Sequence, residues 1–382
     1  IKIGNQYYIF KSLETYPNSD MQTWLVTFSS AEKPFEIFLY QRKEKLATFL
    51  RESHSELKSF KLSRQVGFDF VARDGLTIQA YVNLPPNEPL QSAADVSAEL
   101  RDLAELGMIP VNRQRMVLLV HGGPASRDHY GFLNTVAALT SRGYAVLRVN
   151  FRGSVYFGKR LYNAGIGEWS RKMHDDLIDA VEFTIENGIA NRSQVAIMGT
   201  SYGGYAALVG LTFTPDTFAC GVDINGPSNL ITQMEALPPY WHGLRRRFFK
   251  VMGGDTETEE GRRELIARSP FFLADRVKKP LLIMQGANDA RVKQKESEQF
   301  VDALKNHSIP VTFVLFNDEG HIFRHRPNRL AEYGHFEKFL HECLGGEYEP
   351  FISGQYNENA IVHTSGLITK NDGISESSGG GE

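Results

Sequence analysis

The sequence is short of cysteine, of net charge and of long apolar runs, and each shortage excludes a class of protein. Its 382 residues include only two cysteines, Cys220 and Cys343, which excludes a disulfide-rich scaffold and a zinc ligand set. We therefore expect both to be small core residues. The net charge of -3 gives no electrostatic reason for binding nucleic acid or an anionic membrane surface. No apolar run reaches the roughly 18 residues that a membrane span needs.

The composition also bears on location and size. Low cysteine content is typical of a reducing compartment and predicts a cytoplasmic location. The chain begins at Ile1 and not at methionine, so a secreted or periplasmic location stays open, because leader sequences are removed from mature proteins. An apolar content of 42% is ordinary for a globular protein with a sizeable core, and the length favours two domains over one.

The first part of the chain is typical of antiparallel strands. Short aromatic and β-branched runs alternate there with polar turns. These runs are residues 7–10, 23–28 and 36–40. Three or four strands make one small sheet that needs another layer to pack against. A hairpin follows, with strands over 66–71 and 76–84 around the turn Arg73-Asp74-Gly75.

From residue 116 the pattern changes to alternating strands and helices, which predicts a mostly parallel sheet with helices on both faces. Expected strands are 116–120, 145–149, 195–198, 218–224, 280–284 and 311–316, and expected helices are 95–106, 131–142, 173–187, 294–306 and 330–344. Residues 226–270 interrupt this pattern and are expected to cap the site, with the basic run 245–247 on the solvated surface.

Residues 195–208 join an apolar strand directly to a helix. Between them Gly199-Thr200-Ser201-Tyr202-Gly203 reads G-x-S-x-G, the pattern of a nucleophile elbow, in which a serine occupies a strained turn at the top of the sheet. Glycines two residues before and after the serine let the two backbones approach closely. The pattern predicts Ser201 as a nucleophile, but it also fits a plain glycine-rich turn, so the assignment depends on a base and an acid elsewhere.

Such a base and acid are present in the order that this kind of sheet requires. An elbow serine needs a histidine base oriented by a carboxylate, and the acid precedes the histidine in the chain. Asp289 follows one predicted strand and His321 follows the next, so both are expected at the carboxyl edge of the sheet. The predicted triad is therefore Ser201, Asp289 and His321.

Nearby residues offer alternatives to this triad. Asp318 and Glu319 are acidic competitors, which we expect to be solvated. His325 is the nearest rival base, but its basic neighbours disfavour a second positive charge there. His321 and His325 are four residues apart without a glutamate after the first, so they do not form an H-E-x-x-H zinc site, and no metal or cofactor is predicted.

An oxyanion hole requires two donors aimed at the charge that develops on the substrate carbonyl. The first expected donor is the backbone N–H of Tyr202, the residue after the nucleophile. The second is expected from the segment 121–124, which follows an apolar strand, and we prefer Gly123 to Gly122 there. His121 is expected to be a structural hydrogen-bonding residue and not the base.

Together these motifs resemble the prolyl oligopeptidase family of serine peptidases, and most closely its acylaminoacyl-peptidase-like branch. The matching segments are residues 73–75, 121–124, 150–154, 199–205, 286–292 and 318–321. They span about residues 66–345, and the H-G-G-P segment with G-x-S-x-G-G-Y separates this group from generic esterases. The resemblance implies an α/β-hydrolase fold with these site residues: Ser201, Asp289 and His321 as the triad, Gly123 and Tyr202 as oxyanion donors.

Family members carry a β-propeller ahead of the hydrolase domain, which restricts entry to short peptides. By this resemblance residues 1–62 are a partial propeller blade, residues 63–350 the α/β-hydrolase catalytic domain and residues 351–382 a disordered tail. The chain is then expected to be part of a longer protein. Dipeptidyl members hold the free substrate N-terminus with acidic propeller residues, none of which is assigned here, so the exopeptidase type stays open.

The predicted activity is hydrolysis of short peptides, of acylaminoacyl- or dipeptidyl-peptidase type, through an acyl-enzyme. Two alternatives stay open: a carboxylesterase acting on small acyl esters, because the mechanism is shared, and a catalytically idle hydrolase fold used for binding. A short peptide is the expected partner, without a cofactor, nucleic acid or membrane. The oligomeric state stays open, and a homo-oligomer is one of the alternatives.

Overall fold

The structure, a computed structural model, describes residues 22–350 and the backbone of four strands nearer the termini. The strands are β1 Lys2–Ile3, β2 Gln6–Tyr7, β3 Ile9–Glu14, β4 Thr23–Ser29, β5 Glu36–Gln41, β6 Leu46–Glu52, β7 Gln65–Val71, β8 Thr77–Asn83, β9 Gln114–Val120, β10 Ala145–Asn150, β11 Ala190–Thr200, β12 Cys220–Ile224, β13 Leu281–Gly286, β14 Val311–Phe316 and β15 Ala360–Ser365. The helices are α1 Arg101–Glu105, α2 Asn134–Ser141, α3 Gly158–Ala164, α4 Lys172–Glu186, α5 Tyr202–Phe213, α6 Leu230–Glu235, α7 Arg245–Met252, α8 Glu259–Ile266, α9 Gln294–Asn306 and α10 Arg326–Leu344.

One mixed sheet organises the larger part of the described chain. Its strand order is β7-β8-β10-β9-β11-β12-β13-β14-β15. The strands from β10 to β14 in this order run parallel, whereas β7, β8 and β15 are antiparallel to their neighbours. Strands β10, β12 and β13 are buried along their whole length, because helices cover both faces of the sheet.

Two apolar cores lie on opposite faces of this sheet. Side chains of α4, α5 and α9 belong to one core, and side chains of α2 and α10 belong to the other. The predicted α/β fold with a mostly parallel sheet between helices is therefore confirmed. Within the described residues, no helix combines the length and apolar character that crossing a bilayer requires.

A separate antiparallel sheet precedes the large one. Its order is β3-β4-β5-β6, so each strand pairs with the next along the chain. The predicted antiparallel segment is confirmed, and β6 is an additional strand. The predicted run 7–10 falls across β2 and β3, with residue 8 outside the described residues. The domain boundaries at residues 62 and 350 stay predictions.

Several expectations differ from the structure. The predicted helix 95–106 contains only a short 3₁₀ turn followed by α1, and the helix expected over 131–142 is shortened to α2. The tail is not wholly disordered, because β15 pairs antiparallel with β14 at the sheet edge. The rest of residues 351–382 lies outside the described residues.

The two cysteines are not the independent core residues that the sequence predicts. Cys220 begins β12 and Cys343 lies in the last turn of α10, and the two form a disulfide. The bond joins a central strand to the helix that covers it, and so closes a loop across 123 residues of sequence. The sequence does not reveal this pairing, because the two cysteines come together only when α10 packs against β12.

We expect the Cys220→Ser variant to be less stable than the parent protein by about 2–5 kcal/mol, because a cross-link over a long loop restricts the unfolded chain. Urea unfolding followed by circular dichroism, with and without reductant, measures this difference. Reductant should lower the parent midpoint to that of the variant and leave the variant unchanged. Equal midpoints for oxidised parent and variant would contradict a stabilising disulfide.

Candidate active site

Ser201 occupies a strained turn between β11 and α5. Its backbone has φ 63° and ψ -119°, a left-handed conformation that a residue with a side chain rarely adopts. A Cβ added to Gly203 would lie 2.1 Å from the carbonyl oxygen of Val120, and one added to Gly199 would lie 2.5 Å from the carbonyl carbon of Gly203. The close approach that the glycine pattern predicts is therefore confirmed.

The structure brings the three predicted triad residues together. The imidazole Nε2 of His321 lies 3.0 Å from the hydroxyl oxygen of Ser201. Its Nδ1 lies 2.6 Å from Oδ2 of Asp289. The Asp289 side chain is fully buried and that of His321 is 13% exposed, so the imidazole reaches from a buried carboxylate to an accessible hydroxyl.

Backbone groups orient the carboxylate of Asp289. Its Oδ1 accepts hydrogen bonds from the N–H groups of Arg291, at 2.7 Å, and Val292, at 3.0 Å. These two bonds occupy one oxygen and leave Oδ2 facing His321. The carboxylate is therefore held by its own loop before any substrate arrives.

A buried glutamate fixes the loop that follows His321. Glu319 is 2% exposed and accepts hydrogen bonds from the backbone N–H groups of Arg324 and His325, each at 2.9 Å. Asn328 Nδ2 also donates to its Oε1, at 2.8 Å. The expectation that Glu319 is solvated is wrong, because the chain turns back over it and supplies backbone donors that composition does not reveal.

The rival residues do not reach the nucleophile. His325 is exposed, and its Nδ1 lies 3.3 Å from Glu319 and 3.4 Å from Asp318. Acidic side chains therefore lie beside His325 as well as the basic neighbours that the sequence shows. Asp318 is partly exposed, as expected.

The predicted oxyanion donors lie beside Ser201. Gly123 and Tyr202 line the same cavity as the nucleophile, whereas Gly122 does not. Gly123 has φ 126°, and a cis peptide bond links it to Pro124. Among the described residues, neither the Gly123 N–H nor the Tyr202 N–H donates a hydrogen bond within the chain. Both donors are therefore free to bind a substrate oxygen.

His121 has the structural role that the sequence predicts. Its Nδ1–H donates to the carbonyl oxygen of Gly122 at 2.8 Å, and its Nε2 accepts from the Ser154 hydroxyl at 3.0 Å. The ring stacks on Phe151 with the centroids 4.4 Å apart. Burial lowers the pKa of His121, which favours the neutral imidazole in which Nδ1 donates and Nε2 accepts. These contacts of His121 hold in place the segment 121–124, which contains the predicted oxyanion donor Gly123.

An apolar cavity of about 410 Å³ opens beside Ser201 and His321. The side chains that form its apolar wall are Tyr162, Ile166, Trp169, Tyr202, Pro227, Leu237, Trp241, Leu244, Phe248, Val251, Met252 and Val292. Many of these belong to residues 226–270, so this segment forms much of the cavity wall. That it caps the site stays a prediction. The volume falls within the roughly 300–1,000 Å³ that is typical of small-molecule sites.

Two arginines share this wall. The guanidinium of Arg247 donates to the hydroxyl of Tyr162 at 2.8 Å, and that of Arg291 lies 5.7 Å from the ring centre of Trp241. The expectation for the run 245–247 is therefore only partly correct, because Arg247 is exposed yet contributes to the cavity. In the described part of the chain, no three His, Cys, Asp or Glu side chains cluster as metal ligands would.

Known proteins resemble this chain over most of its length. Dipeptidyl peptidase family member 6 of Caenorhabditis elegans is 58% identical over 348 residues, which are 91% of this chain and 47% of that protein. Dipeptidyl aminopeptidase BIII of Pseudoxanthomonas mexicana is 49% identical over 331 residues, which are 87% of this chain and 46% of that protein. The chain thus spans just under half the length of these two relatives.

More distant relatives include the acylamino-acid-releasing enzyme of Arabidopsis thaliana, which is 30% identical over 212 residues, 54% of this chain and 27% of that protein. Among solved structures, a puromycin-hydrolyzing peptidase of Mycobacterium tuberculosis superposes with a TM-score of 0.75 at 26% identity, covering 89% of this chain and 49% of that one. The model of the prolyl oligopeptidase family, peptidase S9, matches residues 130–347, more than half of the sequence. The chain therefore belongs to the prolyl oligopeptidase family.

Proposed function

We propose that this chain contains the catalytic part of a serine peptidase that cleaves short peptides through an acyl-enzyme. The observation that carries the proposal is the hydrogen-bonded series from Asp289 through His321 to Ser201 at the mouth of an apolar cavity. An imidazole held by a carboxylate accepts the serine proton and later returns it to the leaving amine.

The steps follow from the positions of these groups. The Ser201 oxygen attacks the scissile carbonyl while His321 Nε2 takes its proton, and the N–H groups of Gly123 and Tyr202 bind the oxyanion that forms. Collapse of the tetrahedral intermediate breaks the C–N bond, and His321 protonates the departing amine. Water, deprotonated by the same imidazole, then releases the acyl group and restores the hydroxyl.

We further propose that the substrate carries a free N-terminus and loses a dipeptide. The relatives at 58% and 49% identity bear dipeptidyl peptidase names, whereas the plant relative named acylamino-acid-releasing is 30% identical. Hydrolysis of a dipeptidyl anilide should therefore exceed that of its N-acetylated form. A preference for the acetylated substrate would instead support the acylaminoacyl type.

A matched anilide and ester distinguish a peptidase from an esterase. The peptidase proposal predicts that the enzyme turns over a dipeptidyl anilide as well as the corresponding ester. Activity confined to esters would support a carboxylesterase, and no turnover of either by the folded protein would support a binding function. Both results would contradict the proposal.

The lining of the cavity predicts which substrate side chain is preferred just before the scissile bond. Its wall is formed mainly by aromatic and aliphatic side chains, so a large apolar residue should bury more surface there than alanine. We expect kcat/KM for a dipeptidyl anilide ending in Phe to exceed that for one ending in Ala by about 10–100-fold. Equal values for Phe and Ala would show that the cavity does not receive this side chain.

A further inference from the structure

We propose that Asn225 is a positioning residue that holds the loops carrying Asp289 and His321 in register with the nucleophile elbow. The inference rests on the proposed function, because it assigns Asn225 to the same triad. It adds a residue that lies outside the predicted triad and oxyanion hole.

The side-chain amide of Asn225 bridges two of the loops. Asn225 directly follows β12 and is fully buried. Its Oδ1 accepts a hydrogen bond from the N–H of Gly286 at 2.9 Å, where the loop to Asp289 begins. Its Nδ2 donates to the carbonyl oxygen of His321 itself at 3.0 Å. One rigid, planar amide thus fixes the start of the loop that carries Asp289 relative to the backbone of His321.

Backbone hydrogen bonds next to Asn225 reach the third loop, the turn that carries Ser201. The N–H of Ser201 donates to the carbonyl oxygen of Ile224 at 2.8 Å, and the N–H of Asn225 donates to that of Met284 at 2.9 Å. Residues 224 and 225 therefore touch the nucleophile turn, the strand that leads to the acid, and the base. In the described part of the chain, this is a point where bonds from all three triad loops meet.

The backbone conformation explains why asparagine suits this place. Asn225 has φ 52°, in the left-handed region that most side chains disfavour and that Asn tolerates. Glycine would also accept this backbone, but it would leave the Gly286 N–H and the His321 carbonyl without their amide partners. The two requirements, a left-handed backbone and a donor–acceptor side chain, are met together by asparagine.

The function of this bridge is positional because Asn225 bonds to backbone atoms of the triad loops and not to the reacting atoms. A displacement of about 1 Å at a catalytic group can lower a rate by on the order of 100-fold. Loss of the bridge should therefore lower kcat and the reactivity of Ser201. It should leave KM nearly unchanged, because the apolar cavity is not altered.

The test compares Asn225→Gly with Asn225→Asp and with a control. Asn225→Gly keeps the left-handed backbone and deletes the amide, and Asn225→Asp keeps the acceptor for Gly286 but replaces the donor to His321 with an oxygen. The control, Asn83→Ala, removes a buried amide that bonds to Ser63 and Arg64 far from the triad in sequence and in the sheet. Each protein is assayed well below its melting temperature for kcat, KM and the rate of fluorophosphonate labelling of Ser201.

We expect Asn225→Gly to lower kcat and the labelling rate together by about 10–100-fold with KM within about 3-fold of the parent value. Asn225→Asp should show a decrease of at least about 10-fold, and Asn83→Ala should retain the parent kcat. A folded Asn225→Gly protein with the parent kcat and labelling rate would overturn the positioning role, and so would equal losses in the control. Failure of the parent itself to label would instead refute the proposed peptidase.

Discussion

Replacement of Ser201 by alanine should lower kcat for a dipeptidyl anilide by on the order of 10⁶-fold, as removal of the nucleophile does in a serine protease. The variant loses the atom that attacks the carbonyl, so no acyl-enzyme forms. The cavity and the oxyanion donors remain, and KM or the inhibition constant of a product peptide should change little. Steady-state kinetics with enzyme at high concentration measures the residual rate.

A matched control for this variant is Ser141→Ala, which removes an exposed hydroxyl at the end of α2 that bonds to its own helix. That variant should keep the parent kcat. A Ser201→Ala protein that retains more than about 1% of the parent activity, after removal of contaminating enzyme by a second purification, would exclude Ser201 as the nucleophile.

Replacement of Asp289 by asparagine should lower kcat by about 10⁴-fold. The new Oδ1 still accepts the N–H groups of Arg291 and Val292, so the amide Nδ2 takes the place of the oxygen that faces His321. An amide donor at this place requires Nδ1 of the imidazole to accept, which puts the proton on Nε2. An imidazole protonated at Nε2 is unable to take the proton of Ser201.

The circular dichroism spectrum of this variant separates a tautomer defect from misfolding. Because the defect is in the neutral imidazole, kcat should stay low across the pH range in which the parent is active, while the circular dichroism spectrum remains that of the parent. Asp302→Asn, an exposed position on α9, is the control and should retain full activity. A loss of less than about 10-fold in Asp289→Asn would show that another carboxylate orients His321.

The sequence predicts the triad because its members lie where parallel strands end. Strands β11, β13 and β14 run parallel in one sheet, so the residues that follow them meet at one edge. The glycines of the elbow are similarly informative, since Gly203 lies where a Cβ would be 2.1 Å from a carbonyl oxygen. In both cases a short sequence pattern indicates where the residues must lie in the folded protein.

Other features depend on partners that are distant in sequence. Glu319 is buried because its loop folds back over it, although a charged residue in a polar segment is ordinarily solvated. The disulfide of Cys220 exists because the end of α10 packs against the start of β12, 123 residues away in the chain. Asn225 gains its two loop contacts only when three strands have assembled. None of these pairings has a local sequence pattern.

Covalent labelling is the decisive measurement for Ser201, because it requires an activated serine but no particular peptide. The folded protein is treated with a fluorophosphonate and digested, and the modified peptide is identified by mass spectrometry. We expect one adduct per chain, on Ser201, whose formation a peptide substrate slows and the Asp289→Asn substitution suppresses. An unlabelled folded protein, or an adduct that forms at the same rate in Ser201→Ala, would contradict this expectation.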